Sequence, residues 1–238
     1  LIRKYKRSAG GAERYCVELT EKLALNHEIH VFAQDYEDDC ELIKFHKVSQ
    51  YFEKPRFINQ LLFSLLTKRA TADQFDIVHS HELVSHANIY TMHVPCFRSM
   101  WIDISGFDKF LRFLNTALSP RKILYLWLEK QQMKQIPNRY FISVSEHLSR
   151  NINQCYPSIK NISIAHPGLS KNFAQQKLTN LRKQLSIPFD SFLILLVANN
   201  FKKKGLPTII KSLEILNNKK LHLIVVGNDK KTKNKISK

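Results

Sequence analysis

Two adjacent glycines near the start of the chain are the residues whose type and spacing most directly suggest chemistry. Gly10 and Gly11 stand in the run SAGGAER, ahead of an amphipathic stretch at residues 15–25. Where a strand gives way to a helix, two glycines let the backbone turn tightly and bring bare N–H groups close to a ligand. The helix N-terminus then favours an anion. The sequence therefore predicts a site for a phosphate-bearing substrate, although Gly-Gly is also common in ordinary turns.

A second group of polar residues occurs in the sequence HSHE, which contains His79, His81 and Glu82. Two histidines at this spacing invite a metal interpretation, but a zinc site needs further ligands that the chain does not offer at suitable spacing. The four cysteines lie far apart and form no CxxC motif, so we expect free, mostly buried thiols rather than disulfides or structural zinc. We therefore expect no metal cofactor, and we interpret HSHE as the end of a strand that lines a ligand cleft.

The strongest feature of the composition is its positive charge. The chain has 37 Lys and Arg against 20 Asp and Glu, which gives a net charge of +17. This balance predicts an anionic partner, whether nucleic acid, an anionic membrane or a phosphorylated substrate. The cations are scattered along the chain and no nucleic-acid-binding motif accompanies them, so we do not expect a nucleic-acid partner.

The elements that must position these residues alternate along the chain. Short apolar runs rich in β-branched residues are typical of buried parallel strands, and the segments between them have apolar residues at helical spacing. This alternation predicts an α/β protein with a mostly parallel sheet, whose ligands bind at the carboxyl ends of the strands. Residues 1–4 would be the remainder of the first strand. The other predicted strands are residues 28–33, 42–45, 75–79, 140–144, 162–165, 192–198 and 221–226, and the predicted helices are 13–25, 57–71, 124–135, 146–154 and 207–217.

A change of composition after residue 168 suggests a domain boundary. His166, Pro167 and Gly168 introduce a polar stretch, and a new strand, helix and strand begin at Phe192. We predict a first domain at residues 1–168 and the start of a second at 169–238, which has too few elements to cover its own sheet. We expect the chain to be truncated. Because it has no signal-peptide pattern and no apolar run of about 20 residues, we also expect a cytoplasmic protein.

The order of several motifs resembles that of nucleotide-sugar glycosyltransferases of family 4. The motifs are GGAER, DIVHSHE, FISVSEHL, HPG, FKKKGL and LIVVGND. The resemblance implies the GT-B fold, in which two Rossmann-like domains with parallel sheets face each other; the second domain would be incomplete here. Within the family, the segments FAQDYEDDCELIKFHKV and VVGNDKKTK are most similar to the branch that glucosylates heptose in lipopolysaccharide core. The implied reaction moves a hexose from a nucleotide sugar, with UDP-sugar preferred, to that core or to another glycan or lipid-linked acceptor, with retention.

The resemblance also implies roles for particular residues. Lys203 and Lys204 match the two cations that stabilise the donor diphosphate, and Gly10 and Gly11 would approach the same diphosphate or the transferred sugar from the first domain. Family members have an arginine at the first of the two cationic positions, so a lysine there keeps the charge and loses the bidentate geometry. His93 matches a histidine beside the sugar and is the candidate catalytic residue.

Gly205 and Gly227 match positions near the nucleotide, and Glu13 is either a helix-capping residue or a ligand contact. The acidic motif that holds the donor in the family would lie after residue 238. We therefore expect residues 1–238 alone to be nearly inactive.

Two stretches have apolar faces and basic flanks, which suits helices lying on an anionic inner-membrane surface. They are residues 56–69 and 107–130. Core-packing helices remain the alternative for both. Two other functions also remain open at this stage, namely a non-catalytic fragment of such a transferase and a basic nucleic-acid-binding protein.

Overall fold

The computed structural model describes residues 1–37, 40–72, 74–102, 104–168, 181–227 and 229. The chain divides into two compact units, Leu1–Ser170 and Lys171–Lys238. Which unit would bind acceptor and which donor stays a prediction.

The first unit alternates strands and helices. Its strands are β1 (Lys4–Tyr5), β2 (Ile29–Ala33), β3 (Asp35–Tyr36), β4 (Ile43–Lys47), β5 (His79–Ser80), β6 (Ile89–Met92), β7 (Tyr140–Ser143) and β8 (Ile162–Ile164). Its helices are α1 (Gly11–Leu23), α2 (Arg56–Ala70), α3 (Gly106–Ala117), α4 (Pro120–Gln132) and α5 (Glu146–Cys155), with a 3₁₀ turn at Phe97–Trp101.

Every strand pair in this unit is parallel. β2 pairs with β4, β1 with β3, and β5 to β8 pair in sequence order. The backbone of residues 1–3 joins these groups, because the Ile2 nitrogen donates to the Phe32 carbonyl while the Leu1 carbonyl accepts from the His81 nitrogen. Residues 1–3, which lead into β1, therefore lie between β2 and β5. The α/β class with parallel sheets is confirmed.

The core lies between this sheet and the helices. One cluster includes Phe63, Tyr90 and Phe141, and a second includes Tyr5, Val17 and Val31. Cys16, Cys96 and Cys155 are buried and all four cysteines are free, as predicted. Burial of these apolar side chains supplies most of the free energy that holds the strand ends in place.

The second unit contains α6 (Leu181–Gln184), β9 (Phe192–Val197), α7 (Leu206–Leu216) and β10 (Leu221–Val226). β9 and β10 are parallel and in register over all six residue pairs. Within the described residues of this unit they are the only strands, and Phe192 and Val197 are each 66% exposed. Two strands and one long helix thus bury a small core around Phe201 and Leu206.

Several predicted boundaries need correction. The strand predicted at residues 75–79 begins only at His79, because the Val78 nitrogen donates to the Asn88 side chain instead of entering a strand ladder. The strand β6, which precedes His93, was not among the strands predicted from the residue pattern. Only the resemblance to the family implied a strand there. The amphipathic stretch at residues 107–130 is two helices, because Pro120 begins α4 and proline disfavours helical backbone at the residue before it.

Candidate functional site

The glycine turn has the predicted position at the start of a helix. Gly10 is the N-cap of α1 and Gly11 is its first residue. A Cβ atom on Gly10 would lie 2.6 Å from Oε2 of Glu13, whereas one on Gly11 would meet open space. The Glu13 carboxylate therefore already lies at this helix N-terminus, where the helix dipole favours it. An incoming phosphate would have to displace that carboxylate.

Three histidines form a row at the carboxyl ends of two neighbouring strands; we call His79, His81 and His93 the histidine row. His79 belongs to β5, His81 follows it, and His93 follows β6 directly. The rings of His79 and His81 stack with centroids 4.6 Å apart, and those of His81 and His93 are 5.3 Å apart. Nδ1 of His81 lies 3.0 Å from Nε2 of His93, which is hydrogen-bond distance.

The surroundings of the row keep its imidazoles neutral. Burial lowers the pKa of His79 to about 3, and burial also places the pKa of His81 well below its usual range. The pKa of His93 is lowered by burial as well, and the nearby Glu13 carboxylate opposes that shift. Neutral imidazoles can each donate one hydrogen bond and accept one, so the row can bind uncharged hydroxyl groups.

The row is held from both sides. Nε2 of His79 lies 2.8 Å from Oγ1 of the buried Thr91, and the Tyr15 ring meets the His93 ring edge-on with centroids 5.2 Å apart. Glu82 fixes the end of the same loop, because its carboxylate lies 3.0 Å from Nε of Arg3. Sequence reasoning missed Tyr15. Its place one turn after the glycines was the available signal, but there it resembles any residue of an amphipathic helix.

The segment after His93 is fixed by a buried carboxylate. Glu129 of α4 accepts hydrogen bonds from the backbone nitrogens of Phe97 and Arg98 and, at 2.9 Å, from the Tyr156 hydroxyl. Burial raises the pKa of Glu129 in spite of these bonds. We call these three hydrogen bonds the Glu129 clamp. The sequence analysis did not predict it, although an acidic residue inside the apolar run LYLWLEK was a signal for a buried carboxylate.

Metal binding has no geometric support. Over the ranges that the structure describes, no group of three or more His, Cys, Asp or Glu side chains is arranged to hold a metal ion. In the histidine row, Nδ1 of His81 and Nε2 of His93 lie at hydrogen-bond distance from each other, so these two nitrogens do not face a common ion.

The second unit presents the predicted lysines on one loop; we call Lys202, Lys203 and Lys204 the lysine loop. All three side chains are exposed. The backbone beneath them is fixed, because the Lys203 nitrogen donates to Oδ1 of Asn200 and the Phe201 nitrogen to Oδ2 of Asp229, each at 3.0 Å. The loop therefore holds its cations on a rigid base.

Gly205 and Gly227 each have a geometric reason to be glycine. Gly205 caps α7 with φ 86° and Gly227 follows β10 with φ 145°, values that side chains disfavour. A Cβ on Gly227 would lie 1.7 Å from the Ala198 carbonyl oxygen. Both glycines therefore let the backbone of this unit turn at the ends of its elements.

α3 and α4 present a surface that is apolar and basic, which we call the amphipathic surface. Large apolar side chains on it are exposed, from 82% at Leu118 to 46% at Trp127. No helix in the described part of the chain is long and apolar enough to cross a membrane. The apolar members are Phe107, Phe110, Phe113, Leu118, Ile123 and Trp127, and the cations on the same two helices are Lys109, Arg112, Arg121, Lys122 and Lys130.

Comparison with known proteins identifies the family and the fold. The model of the family described as Glycosyltransferase Family 4 matches residues 9–172. Among curated proteins none matches the sequence. Of the 16 chains of solved structures that match, one is WaaG, a glycosyltransferase involved in lipopolysaccharide biosynthesis, with a TM-score of 0.79 and 20% identity. The match covers 99% of this chain and 66% of that one. It shows the fold and confirms the predicted GT-B class.

Proposed function

Because the chain belongs to glycosyltransferase family 4, we propose that it transfers a hexose from a nucleotide sugar, with a UDP-sugar as donor, and that the anomeric configuration is retained. The proposed acceptor is a sugar of lipopolysaccharide core or another glycan or lipid-linked acceptor. The likeness to WaaG, which is described as involved in lipopolysaccharide biosynthesis, supports this acceptor class.

The observation that carries the proposal is the histidine row at the carboxyl ends of β5 and β6. Ligands of parallel sheets bind at such ends. His93 has one ring nitrogen in a hydrogen bond to His81 and presents the other away from that bond. A neutral imidazole in this position can hydrogen bond to a sugar hydroxyl whose charge changes in the transition state. We propose His93 as the catalytic residue.

The diphosphate is the second part of the proposal. Lys203 and Lys204 would stabilise the negative charge that develops on the leaving nucleoside diphosphate, since they stand on a rigid loop and are exposed. In the first unit, Gly10 and Gly11 would offer N–H groups to phosphate oxygens once Glu13 has moved aside. Gly205 and Gly227 would lie near the nucleotide.

The reaction proposed needs no metal cofactor, because the lysines supply the positive charge that a divalent cation would otherwise provide. An oxygen of the acceptor bonds to the anomeric carbon as the bond from that carbon to the β-phosphate oxygen breaks. The hydroxyl proton of the acceptor leaves with the diphosphate. Transfer should therefore continue at an unchanged rate in the presence of EDTA.

The test uses protein expressed from the complete reading frame, a radiolabelled UDP-hexose and deacylated core oligosaccharide as acceptor. We expect the label to appear in the oligosaccharide. The double variant Lys203→Ala/Lys204→Ala should raise the KM for the donor at least tenfold, while Lys219→Ala/Lys220→Ala, a matched pair in the same unit, should leave it within twofold. Equal KM values for the two double variants would refute the role of the lysine loop.

Residues 1–238 alone should transfer little sugar, because the chain spans 66% of the length of the WaaG chain. Their fold still provides the lysine loop. UDP should protect Lys203 and Lys204 of this chain from acylation, as read by mass spectrometry. Salt-dependent binding to duplex DNA without such protection would favour the nucleic-acid alternative.

We further propose that the protein is a cytoplasmic enzyme that binds peripherally to an anionic inner-membrane surface through the amphipathic surface. Its exposed aromatic side chains can enter the headgroup region, and the cations beside them each gain about 1 kcal/mol near an anionic leaflet. This location would bring the enzyme to a lipid-linked acceptor.

Co-sedimentation with liposomes tests the membrane proposal. Vesicles with phosphatidylglycerol should bind the protein and vesicles of phosphatidylcholine alone should not. The variant Phe107→Ser/Phe110→Ser should lose most of the binding, whereas Phe189→Ser, which changes a side chain 78% exposed in the second unit, should keep it. Equal binding to both kinds of vesicle would contradict the proposal.

A further inference from the structure

The site pair, His81 and His93, uses one specific nitrogen of each ring. Nδ1 of His81 faces Nε2 of His93 at 3.0 Å. Within the described residues, no protein group hydrogen bonds to Nδ1 of His93. The buried side-chain nitrogens and oxygens that have no partner do not include this atom. Nδ1 is therefore the nitrogen of His93 that a ligand can reach.

The structure fixes the orientation of His81 independently of His93. The His81 backbone nitrogen donates to the Leu1 carbonyl at 3.0 Å, and its ring stacks on His79, which is itself anchored on Thr91. The Tyr15 ring lies 5.9 Å from the His81 ring and 5.2 Å from the His93 ring. His81 therefore forms a fixed support against which the His93 ring can turn only by breaking their hydrogen bond.

The protonation state of the pair follows from its burial. Both pKa values are lowered by burial, so each ring is neutral and carries one proton. One proton must lie in the bond between the two rings. If it belongs to Nε2 of His93, both rings adopt the Nε2–H tautomer that free neutral imidazole side chains favour. Nδ1 of His93 then has a free lone pair.

We propose that His81 is a positioning residue for the transfer reaction: it accepts a hydrogen bond from Nε2 of His93 and so holds Nδ1 of His93 as an acceptor for a hydroxyl of the bound sugar. The inference rests on the proposed function, because it assumes that His93 contacts the sugar. It identifies the hydroxyl as the donor in that contact. A ring without this support would turn and sample both tautomers, so fewer molecules would present the acceptor.

The first test reads the tautomer directly and does not depend on activity. Long-range ¹⁵N–¹H correlation spectra of residues 1–238 at pH 7.5 should show His93 with a protonated Nε2 and a pyridine-like Nδ1. In His81→Phe the two nitrogen shifts of His93 should move toward averaged values. A protonated Nδ1 in the unsubstituted protein would overturn the proposal, and so would unchanged His93 shifts in His81→Phe.

The second test measures kinetics on protein from the complete reading frame. His81→Phe should lower kcat by about 10- to 30-fold and change the KM for the donor by less than threefold. His81→Asn, whose Oδ1 can accept a hydrogen bond near the position of Nδ1, should recover most of the lost kcat. A kcat for His81→Asn as low as that of His81→Phe would contradict the positioning role.

A matched control exists elsewhere in the same unit. Nδ1 of His30 lies 2.9 Å from Nε2 of His46, which is the same kind of pair on β2 and β4. His30→Phe should change kcat by less than twofold. The His93 signals of His30→Phe should superimpose on those of the unsubstituted protein. If His93→Ala left kcat unchanged while the spectra still showed the expected tautomer, the proposed function of His93 would fail and the structural role of His81 would stand.

Discussion

The molecule contains two histidine pairs with nearly the same hydrogen-bond geometry and different surroundings. In the site pair, Nδ1 of His81 faces Nε2 of His93 at 3.0 Å; in the second, which we call the sheet pair, Nδ1 of His30 faces Nε2 of His46 at 2.9 Å. The site pair follows the ends of β5 and β6. The sheet pair lies within β2 and β4, so its rings pack against the neighbouring strand residues.

The difference lies in which nitrogens remain available. Nε2 of His30 lies 3.1 Å from the Glu28 carboxylate, so a second partner occupies that ring, and the His46 ring stacks on Phe32 at 4.4 Å. Within the described residues neither Nδ1 of His93 nor Nδ1 of His46 has a hydrogen-bond partner, but only His93 stands beyond the end of its strand. The same two residue types therefore contribute to packing inside strands and can bind ligands where parallel strands end.

The largest difference should appear in stability. Phe32 is 7% exposed and lies between the His46 and Phe75 rings, so Phe32→Ala should lower the free energy of unfolding by about 3 to 5 kcal/mol. Tyr15→Ala beside the site pair should cost about 1 kcal/mol, because Tyr15 is partly exposed. Urea unfolding followed by tryptophan fluorescence measures this, since Trp101 and Trp127 both belong to the first unit. Equal losses of unfolding free energy in Phe32→Ala and Tyr15→Ala would mean that the surroundings of the two pairs contribute equally to the core.

For catalysis we expect the opposite order: substitution in the site pair should lower kcat more than substitution in the sheet pair. His93→Ala should lower kcat by about 100-fold, which corresponds to about 2.7 kcal/mol in the activation free energy. His46→Ala removes the same atoms from the sheet pair and should change kcat by less than threefold in a properly folded preparation. A radiolabelled transfer assay on protein from the complete reading frame makes the comparison. Similar losses in both variants would place catalysis elsewhere.

Acid should weaken the first unit through the histidine row. The pKa of His79 is about 3 in the folded protein and 6.5 without burial, so the unfolded chain binds the proton more tightly. The free energy of unfolding must then fall as the pH drops below 6.5, by about 1 to 2 kcal/mol per buried ring between pH 7.5 and 5. His79→Asn should remove that part of the pH dependence, as measured by urea unfolding at both pH values. His46→Asn should remove less, because His46 is more accessible. The same pH dependence in His79→Asn as in the unsubstituted protein would refute this account.

The smallest difference concerns the carboxylates beside each pair. Lys44 holds the pKa of Glu28 at about 2, but Glu28 is 67% exposed, so water and salt screen the interaction. Glu28→Gln should not measurably shift the thermal midpoint. Glu82→Gln should shift it downward, because the Glu82 side chain is 16% exposed and pairs with Arg3. Differential scanning fluorimetry in low and high salt tests both, and a larger shift for Glu28→Gln would contradict the argument.

The sequence was sufficient for the parallel α/β fold, because runs such as YFISV and LHLIVV and the helical periods between them depend only on local patterning. It also predicted the starts of α1 and α7, at residues 13 and 207, within two residues of the observed starts at Gly11 and Leu206. It could not predict the pairing of His81 with His93, since their contact depends on β5 and β6 lying side by side. Ten histidines in the chain offer many equally plausible pairs. The Glu129 clamp was missed for the same reason, because its partners lie about 30 residues away along the chain.

The close approach at Gly227 also sets limits for protein engineering. A library that randomises the residues after β9 and β10 should keep position 227 fixed, because even an alanine methyl group would meet the Ala198 carbonyl carbon at 2.7 Å as well as its oxygen. Codons 203 and 204 can be varied freely by comparison, since their side chains are exposed. Variation there would test the proposed binding of the donor diphosphate without first selecting for variants that merely fold.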